Sequence, residues 1–413
     1  MSCILLALAL ACTQTVQQPR TQGDAPRKNW VIVAERVYTA AGRSLEHGSV
    51  TVSGSKIGLV TSGTEDLGAD GLKCYAVTPG LVDASARIHE GFLSVEQSRE
   101  ETPELRVART LDPFDTAWDG AVRTGVTTVL SNPPDEDVIG GLGVALKTAG
   151  PPSIAARTVK ADAVLRGAIG SQPSDRNHPA FGRPTDFYSR RPTTRMGVEW
   201  EWRRSFYEAA ASRKDAARRF PGCEQLLAVL DGSLTLDIQA WTTQDIRTAV
   251  FLKEELEKEP QIGGKPRLIL DAAAEAWKEP QLLVRSHAMV VLPPFPEAGR
   301  TEDGAFMAWN VAALLQQKGV PIALSAHGDS SPAGCLGMQA GYAMQGGLSF
   351  DEALAAVTIN PARMLGIESR VGTLESGKDA DLVLWSGEPF QPTARVVGVI
   401  VDGALVLDPR SKD

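Results

Sequence analysis

The stretch from Val77 to Gly91 constrains the fold more than any other part of this chain. It reads V-T-P-G-L-V-D-A-S-A-R-I-H-E-G. An apolar run meets Pro79-Gly80 and resumes through Leu81 and Val82 to an acid, Asp83. A Pro-Gly turn that feeds apolar residues of this kind marks a buried strand.

Downstream, strand-like and helix-like segments alternate, which favours a parallel sheet with helical crossovers. Strands are expected at Val126–Leu130, Leu234–Ala240, Arg267–Asp271, Met289–Leu292 and Ile322–Ser325. Helices are expected at Asp115–Arg123, Glu199–Arg219, Gln244–Glu259, Ala305–Lys318 and Ser349–Leu365. Ser349 with Glu352 three residues on forms a capping box for the last of these. Ser171–Thr194, rich in Pro and Arg, reads as a long loop over one end. The order is compatible with an α/β fold built as a (β/α)8 barrel, whose functional face lies after the strands.

Both chain ends add short β runs. Trp30–Val33, Ser49–Val52 and Lys56–Val60 lie near the start; Ala380–Trp385, Val397–Val401 and Ala404–Leu407 lie near the end. Asp402-Gly403 separates the last two and predicts a tight hairpin. A small composite β-sandwich from 29–78 plus 372–408 is therefore expected beside a barrel at 79–371.

The leader has its own chemistry. Ile4–Ala11 is wholly apolar and too short to span a bilayer as a helix. It fits the core of a secretory signal. Residues 1–12 end in Ala11-Cys12, which resembles a bacterial lipobox, so Cys12 is the expected lipidation site. Residues 13–28, rich in Gln, Thr and Pro, read as a flexible tether. The expected product is an exported, periplasmic or cell-envelope lipoprotein that meets the membrane only through its lipid. A net charge of −8 with no Lys/Arg tract argues against a nucleic-acid partner. Cys74, Cys223 and Cys335 match no zinc spacing and read as isolated thiols.

The first stretch resembles the first barrel strand of the amidohydrolase superfamily, in its imidazolonepropionase-like group, where the pattern is P-G-L-(I/V)-D-A-H-x-H. Further likeness lies in Asp112–Asp115, Gly125–Val129, Val138–Gly143, Thr358–Gly366 and Val371–Val383. The resemblance covers about Trp30 to Asp408. It implies a catalytic metal held by paired histidines after strand 1, a carboxylated lysine, a histidine each on strands 5 and 6, and an aspartate after strand 8.

Taken position by position, this chain departs from that set. Ser85 and Arg87 stand at the paired histidines. Arg166, or less closely Lys147, stands at the lysine. Strand 5 reads Gln239-Ala240-Trp241, Ala272 replaces the strand 6 ligand, and Ala326 replaces the aspartate. Arginine offers no lone pair to a metal and carries a fixed charge. No zinc is expected, and H-x-H and H-E-x-x-H spacings are absent.

What remains supports rival readings. His327, Asp329 and Ser330 could form a rebuilt base, partner and nucleophile; otherwise Asp329 and Ser330 make an Asx-type turn. Arg87, Arg166, His89, Gln239 and Trp241 are candidates for a binding pocket at the barrel mouth. The two arginines could grip a ligand carboxylate or pair with local acids such as Asp83 or Glu90. Trp200 and Trp202 suggest an aromatic interface or core group. The reading that follows is an exported pseudoenzyme: a non-catalytic subunit or small-molecule-binding protein. It would form a homo-oligomer, or a hetero-oligomer with a metal-bearing relative. The alternative is an active zinc hydrolase of C–N bonds in cyclic amides or dipeptide-like substrates.

Overall fold

The computed structural model describes residues 29–411 except 43, 64–70, 89–95, 97–98, 176–191 and 297–304. The signal segment with Cys12, the tether, His89, Glu90 and most of the loop expected at Ser171–Thr194 lie outside the described residues.

The chain opens with β1 (Trp30–Val37), β2 (Leu45–Ser53), β3 (Lys56–Ser62) and β4 (Gly71–Pro79). Gly80 then turns the backbone into β5 (Leu81–Ala86), buried along its whole length as its apolar run requires. The barrel sheet continues with β6 (Val126–Ser131), β7 (Ile139–Lys147), β8 (Thr158–Ala168), β9 (Thr235–Gln239), β10 (Leu268–Asp271), β11 (Met289–Leu292) and β12 (Ile322–Leu324). The chain closes with β13 (Leu382–Trp385), β14 (Val396–Val401) and β15 (Ala404–Leu407).

Strands from both ends meet in one continuous seven-stranded sheet of order β15-β14-β13-β4-β1-β2-β3. The expected union of the termini is present. Its form is a single hydrogen-bonded sheet, in which β1, β2 and β3 are antiparallel and β1 pairs with β4 in parallel. The β14–β15 hairpin turns at Asp402 and Gly403, with φ of 47° and 78°. Two positive φ values are what a two-residue hairpin of this twist demands.

The eight-stranded sheet runs β5 to β12 in chain order. Neighbours are parallel except around β7, which is antiparallel to both β6 and β8. A strict (β/α)8 pattern is therefore broken at one strand. The reason is chain length: parallel neighbours need a crossover of roughly a dozen residues or more, and only 132–138 separate β6 from β7. Between β5 and β12 the sheet order ends, and Asp83 spans this seam. Its carboxylate accepts from the Ser325 hydroxyl at 2.7 Å and the Ala326 amide at 3.1 Å.

Helices cover the outside. The capping box at Ser349 and Glu352 forms as expected, but the helix stops at Ala356 and a second one runs Ile359–Leu365. Pro361 cannot donate an amide and crowds the carbonyl four residues back, so one helix cannot pass through it. The carbonyl of Val357 instead accepts from Val82 of β5 at 2.8 Å. The long helix runs Arg195–Ser212, earlier than expected, and the one before β12 is only Val311–Gln317. Trp202 is fully buried, its indole N–H donating to the Ala168 carbonyl at 3.0 Å. Trp200 on the opposite face is 54% exposed, with the Arg204 guanidinium over its ring at 5.2 Å. The two tryptophans thus have separate roles, since residues two apart on a helix do not share a face.

Candidate functional site

Alternation along each strand decides which side chains meet inside the barrel mouth. On β5 it turns Asp83 and Ser85 the same way. On β9 it does so for Asp237 and Gln239, with Trp241 following in the same phase. Arg166 lies near the end of β8, in register with Asp237, and Asp271 ends β10, in register with Gln239. The short β6–β7 connection contributes Asn132 and Asp135.

These groups form one buried network around the Arg166 guanidinium. Its Nε and Nη2 donate to Asp135 Oδ1 at 2.9 and 2.6 Å. Nη1 donates to Asp237 Oδ2 at 3.0 Å, and Nη2 pairs with Asp271 Oδ2 at 2.6 Å. The Arg87 Nη2 donates to Asp135 Oδ2 at 3.2 Å, and the Gln239 amide donates to the same oxygen at 2.7 Å. The Ser85 hydroxyl donates to Asp271 Oδ2 at 2.7 Å, and Asn132 donates to Asp237 Oδ2 at 2.8 Å. Arg166 is 2% exposed and Asp237 and Asp271 are fully buried.

Electrostatics follow from that crowding. Burial would strip the charge from Arg166, but Asp135, Asp237 and Asp271 hold its pKa well above the usual value. Burial raises Asp237 to about 7, against the pull of Arg166 and with a push from Asp271. Burial likewise opposes ionisation of Asp271. There Arg166, His327, the Ser85 hydroxyl and Arg87 win, and its carboxyl falls below the ordinary range. Burial also raises Asp83, beyond what its hydrogen bonds from Ser325, Ser85 and Ala326 restore.

The two arginines therefore do pair with an acid of this network, while Glu90 lies outside the described residues. Their shared partner is Asp135, which the chain order hid because it lies 48 residues from Arg87 and 31 from Arg166. Lys147, the other candidate for the lysine position, is elsewhere. Because β7 runs backwards, its last residue falls at the entry end of the parallel strands, where Lys147 pairs with Asp381, Asp379 and Asp402. Ala272 and Ala326 are buried and carry no donor atoms.

A cleft of about 560 Å³ is lined by Phe295, Pro296, His327, Asp329, Gln339 and Tyr342, among others. His327 stands edge-on to the buried Trp241 ring, with centroids 6.3 Å apart. Asp329 accepts from the Ser331 amide at 2.7 Å, the Asx-type turn that was the plainer expectation. Ser330 is exposed, and its hydroxyl faces Gly120 of the helix Ala117–Arg123. The cleft lining includes His327 and Asp329 but not Ser330, so the rebuilt nucleophile does not join them there.

Sequence reasoning missed Asp135, Asp237 and Asp271. For Asp237 a signal existed: it stands two residues before Gln239, hence on the same strand face. Asp271 adjoins Ala272 and was passed over for it. Among the described residues, no three His, Cys, Asp or Glu side chains are placed to hold a metal together.

Comparison with known proteins agrees with the first-strand resemblance. The amidohydrolase family profile matches residues 334–407. Amidohydrolase tasK of Hapsidospora irregularis is 27% identical over 344 residues, covering 76% of this chain but only 34% of that protein. Imidazolonepropionase of Legionella pneumophila is 43% identical over 76 residues, 18% of this chain and 19% of that protein. The chain thus spans well under two thirds of the length of these relatives. In structure, an amidohydrolase from Thermotoga maritima superposes with a TM-score of 0.79 at 27% identity, over 92% of this chain and 100% of that one. Barrel, terminal sheet and sequence likeness agree, and together they support the amidohydrolase superfamily and its imidazolonepropionase-like group.

Proposed function

We propose that this protein is a non-catalytic, ligand-binding member of the superfamily in which an internal ion network stands in place of the metal centre. The observation that carries the reading is Arg166. Its guanidinium already pairs with Asp135, Asp237 and Asp271, where a metal would need them. Zinc needs three or four nitrogen, sulfur or carboxylate donors in a closed geometry. Ser85 commits its hydroxyl to Asp271, Gln239 donates its amide N–H to Asp135 and offers only an amide oxygen, and the Ala272 and Ala326 side chains have nothing to give. A dication would also meet the fixed charges of Arg166 and Arg87. The residues present do not fit the family's metal, and no hydrolytic step is derived through one.

Elemental analysis of protein purified without chelator tests this. Well under one zinc per chain is expected, and a chelator should leave the melting temperature unchanged. Stoichiometric zinc that disappears in His327→Ala would overturn the reading in favour of the active hydrolase.

Export and assembly belong to the same proposal. Ile4–Ala11 and Ala11-Cys12 support a lipid on Cys12, read by the intact mass of the mature N-terminus from the native host. A mature protein beginning at Met1 would count against it. The exposed Trp200 and Met196 support an oligomer interface on the helix Arg195–Ser212. Trp202 has no part in it, because it is buried. A monomer mass by light scattering, with no partner captured from the host, would remove that part.

A further inference from the structure

We propose that the barrel mouth binds a small organic cation, an ammonium or guanidinium group carrying an oxygen acceptor. The inference rests on the metal-free reading above and names the ligand class of the same site.

Two observations carry it. The first is charge. Asp135, Asp237 and Asp271 gather around Arg87 and Arg166, three carboxyl groups to two guanidinium groups, so the cluster carries a negative surplus once Asp237, raised to about 7, is ionised. An anion would add to that surplus; a monocation reduces it. The second is the set of buried polar atoms with no partner among the described residues. Asp237 Oδ1, Asp271 Oδ1 and Gln239 Oε1 are acceptors of this kind, and Trp241 Nε1 is a donor. All four side chains are 1% exposed or less. Buried polar groups in folded proteins are nearly always satisfied, and each exception asks for an explanation.

These atoms are neighbours by construction. Gln239 and Asp271 are register partners on adjacent strands, and Asp237, Gln239 and Trp241 share one phase of β9 and its exit. Acceptors outnumber donors, so the fitting ligand is rich in N–H. Trp241 Nε1 asks in addition for one oxygen. The Trp241 indole supplies aromatic surface beside the cation, which favours it further. His327 lines the cleft and stands edge-on to Trp241, so that ring is one side chain away from the cleft. Asp135 is not available to a ligand in this way, because both its oxygens already accept from the arginines and Gln239.

Calorimetry on the full mature chain tests the inference with 4-guanidinobutanamide, 4-aminobutanamide and the neutral 4-ureidobutanamide. At least one cation should bind, and the urea should bind about tenfold more weakly or worse, since a site built for charged donors rejects the analogue lacking them. Asp271→Asn should cost about tenfold in affinity. That variant disturbs a partner of Arg166, so Trp241→Phe is the second; it leaves the ion network intact and should cost about threefold. Absence of heat with both cations at millimolar concentration would overturn the inference, as ordered water alone would then satisfy these atoms. Equal binding of the urea, or binding untouched by both variants, would do the same. Zinc in stoichiometric amount would sink the metal-free reading beneath it, whereas a metal-free protein that ignores both cations sinks this inference alone.

Discussion

Two buried cations in this molecule stand among three aspartates each, and they differ in what they leave over. Lys147 lies at the junction of barrel and terminal sheet, with Asp379, Asp381 and Asp402 around it. Asp379 is shared with Lys56 and Arg370, and Asp381 accepts the Asp402 amide at 2.9 Å. No side-chain atom of Lys147 or of these three acids is buried without a partner. Arg166 lies at the mouth among Asp135, Asp237 and Asp271. Here two carboxylate oxygens, of Asp237 and Asp271, and two amide oxygens, of Gln239 and Asn132, stay unmatched. The first cluster closes on itself and ties two sheets together. The second is built of the same residue types and remains open. Completeness of pairing, not the presence of buried charge, separates a clamp from a candidate site.

Breaking each cluster should show the difference, and the largest effect belongs to the mouth. Arg166→Met strands three buried carboxylates, and removing one partner of a buried ion network costs roughly 3–5 kcal/mol. Urea unfolding should place this variant at the upper end of that range. Adding Asp135→Asn and Asp271→Asn should recover part of the loss, and no recovery would mean that packing rather than charge is at stake.

Lys147→Met should cost less, about 3 kcal/mol, at the lower end of the same range. Asp379 keeps Lys56 and Arg370, and Asp402 is partly exposed. An unfolding midpoint lowered more by this change than by Arg166→Met would reverse the ranking of the two clusters.

The pH dependence sharpens the contrast. Asp237 is raised by burial to about 7 from its ordinary 3.8. Between those values the folded state holds a proton that the unfolded chain has lost. Stability contributed by this group is therefore greatest at the acid end and falls as pH rises through about 7. The loss should be roughly 1–3 kcal/mol between pH 5 and pH 8, and Asp237→Asn should flatten the profile. Asp379, held below the ordinary range against burial by Lys147, Lys56 and Arg370, works the opposite way. Its contribution is present above the usual carboxylate pKa and lost only in stronger acid. Unfolding curves at both pH values read the two signs separately.

The smallest effect is expected at Trp241. Its indole N–H has no partner among the described residues, so the loss on Trp241→Phe should be the packing cost of a smaller ring alone, about 1 kcal/mol. A loss in thermal melts well beyond that packing cost would mean that the N–H is already satisfied in the free protein.

Much of the fold was legible because it is local. The Pro79-Gly80 turn into β5, the Ser349–Glu352 capping box and the Asp402-Gly403 hairpin each depend on a few adjacent residues. Family likeness then joined those pieces into a barrel with a terminal sheet. The single long helix over Ser349–Leu365 failed for a local reason as well, since Pro361 was in view.

The substituted positions Ser85, Arg87, Arg166, Gln239, Trp241, Ala272 and Ala326 were also visible in the sequence, and they were enough to question a metal. Their partners were not. Asp135 meets Arg166 and Arg87 only because 132–138 are too few residues for a crossover, which turns β7 around. The same reversal sends Lys147 to the far end of the barrel and away from the mouth. Asp237 and Asp271 meet Arg166 through register between strands distant in sequence. The sequence by itself determined which side chains were on hand: acids, arginines and few histidines. Only the tertiary structure decided which of them share a charge and which are left unpaired, because strand direction and register, not spacing along the chain, set the distances over which charge acts.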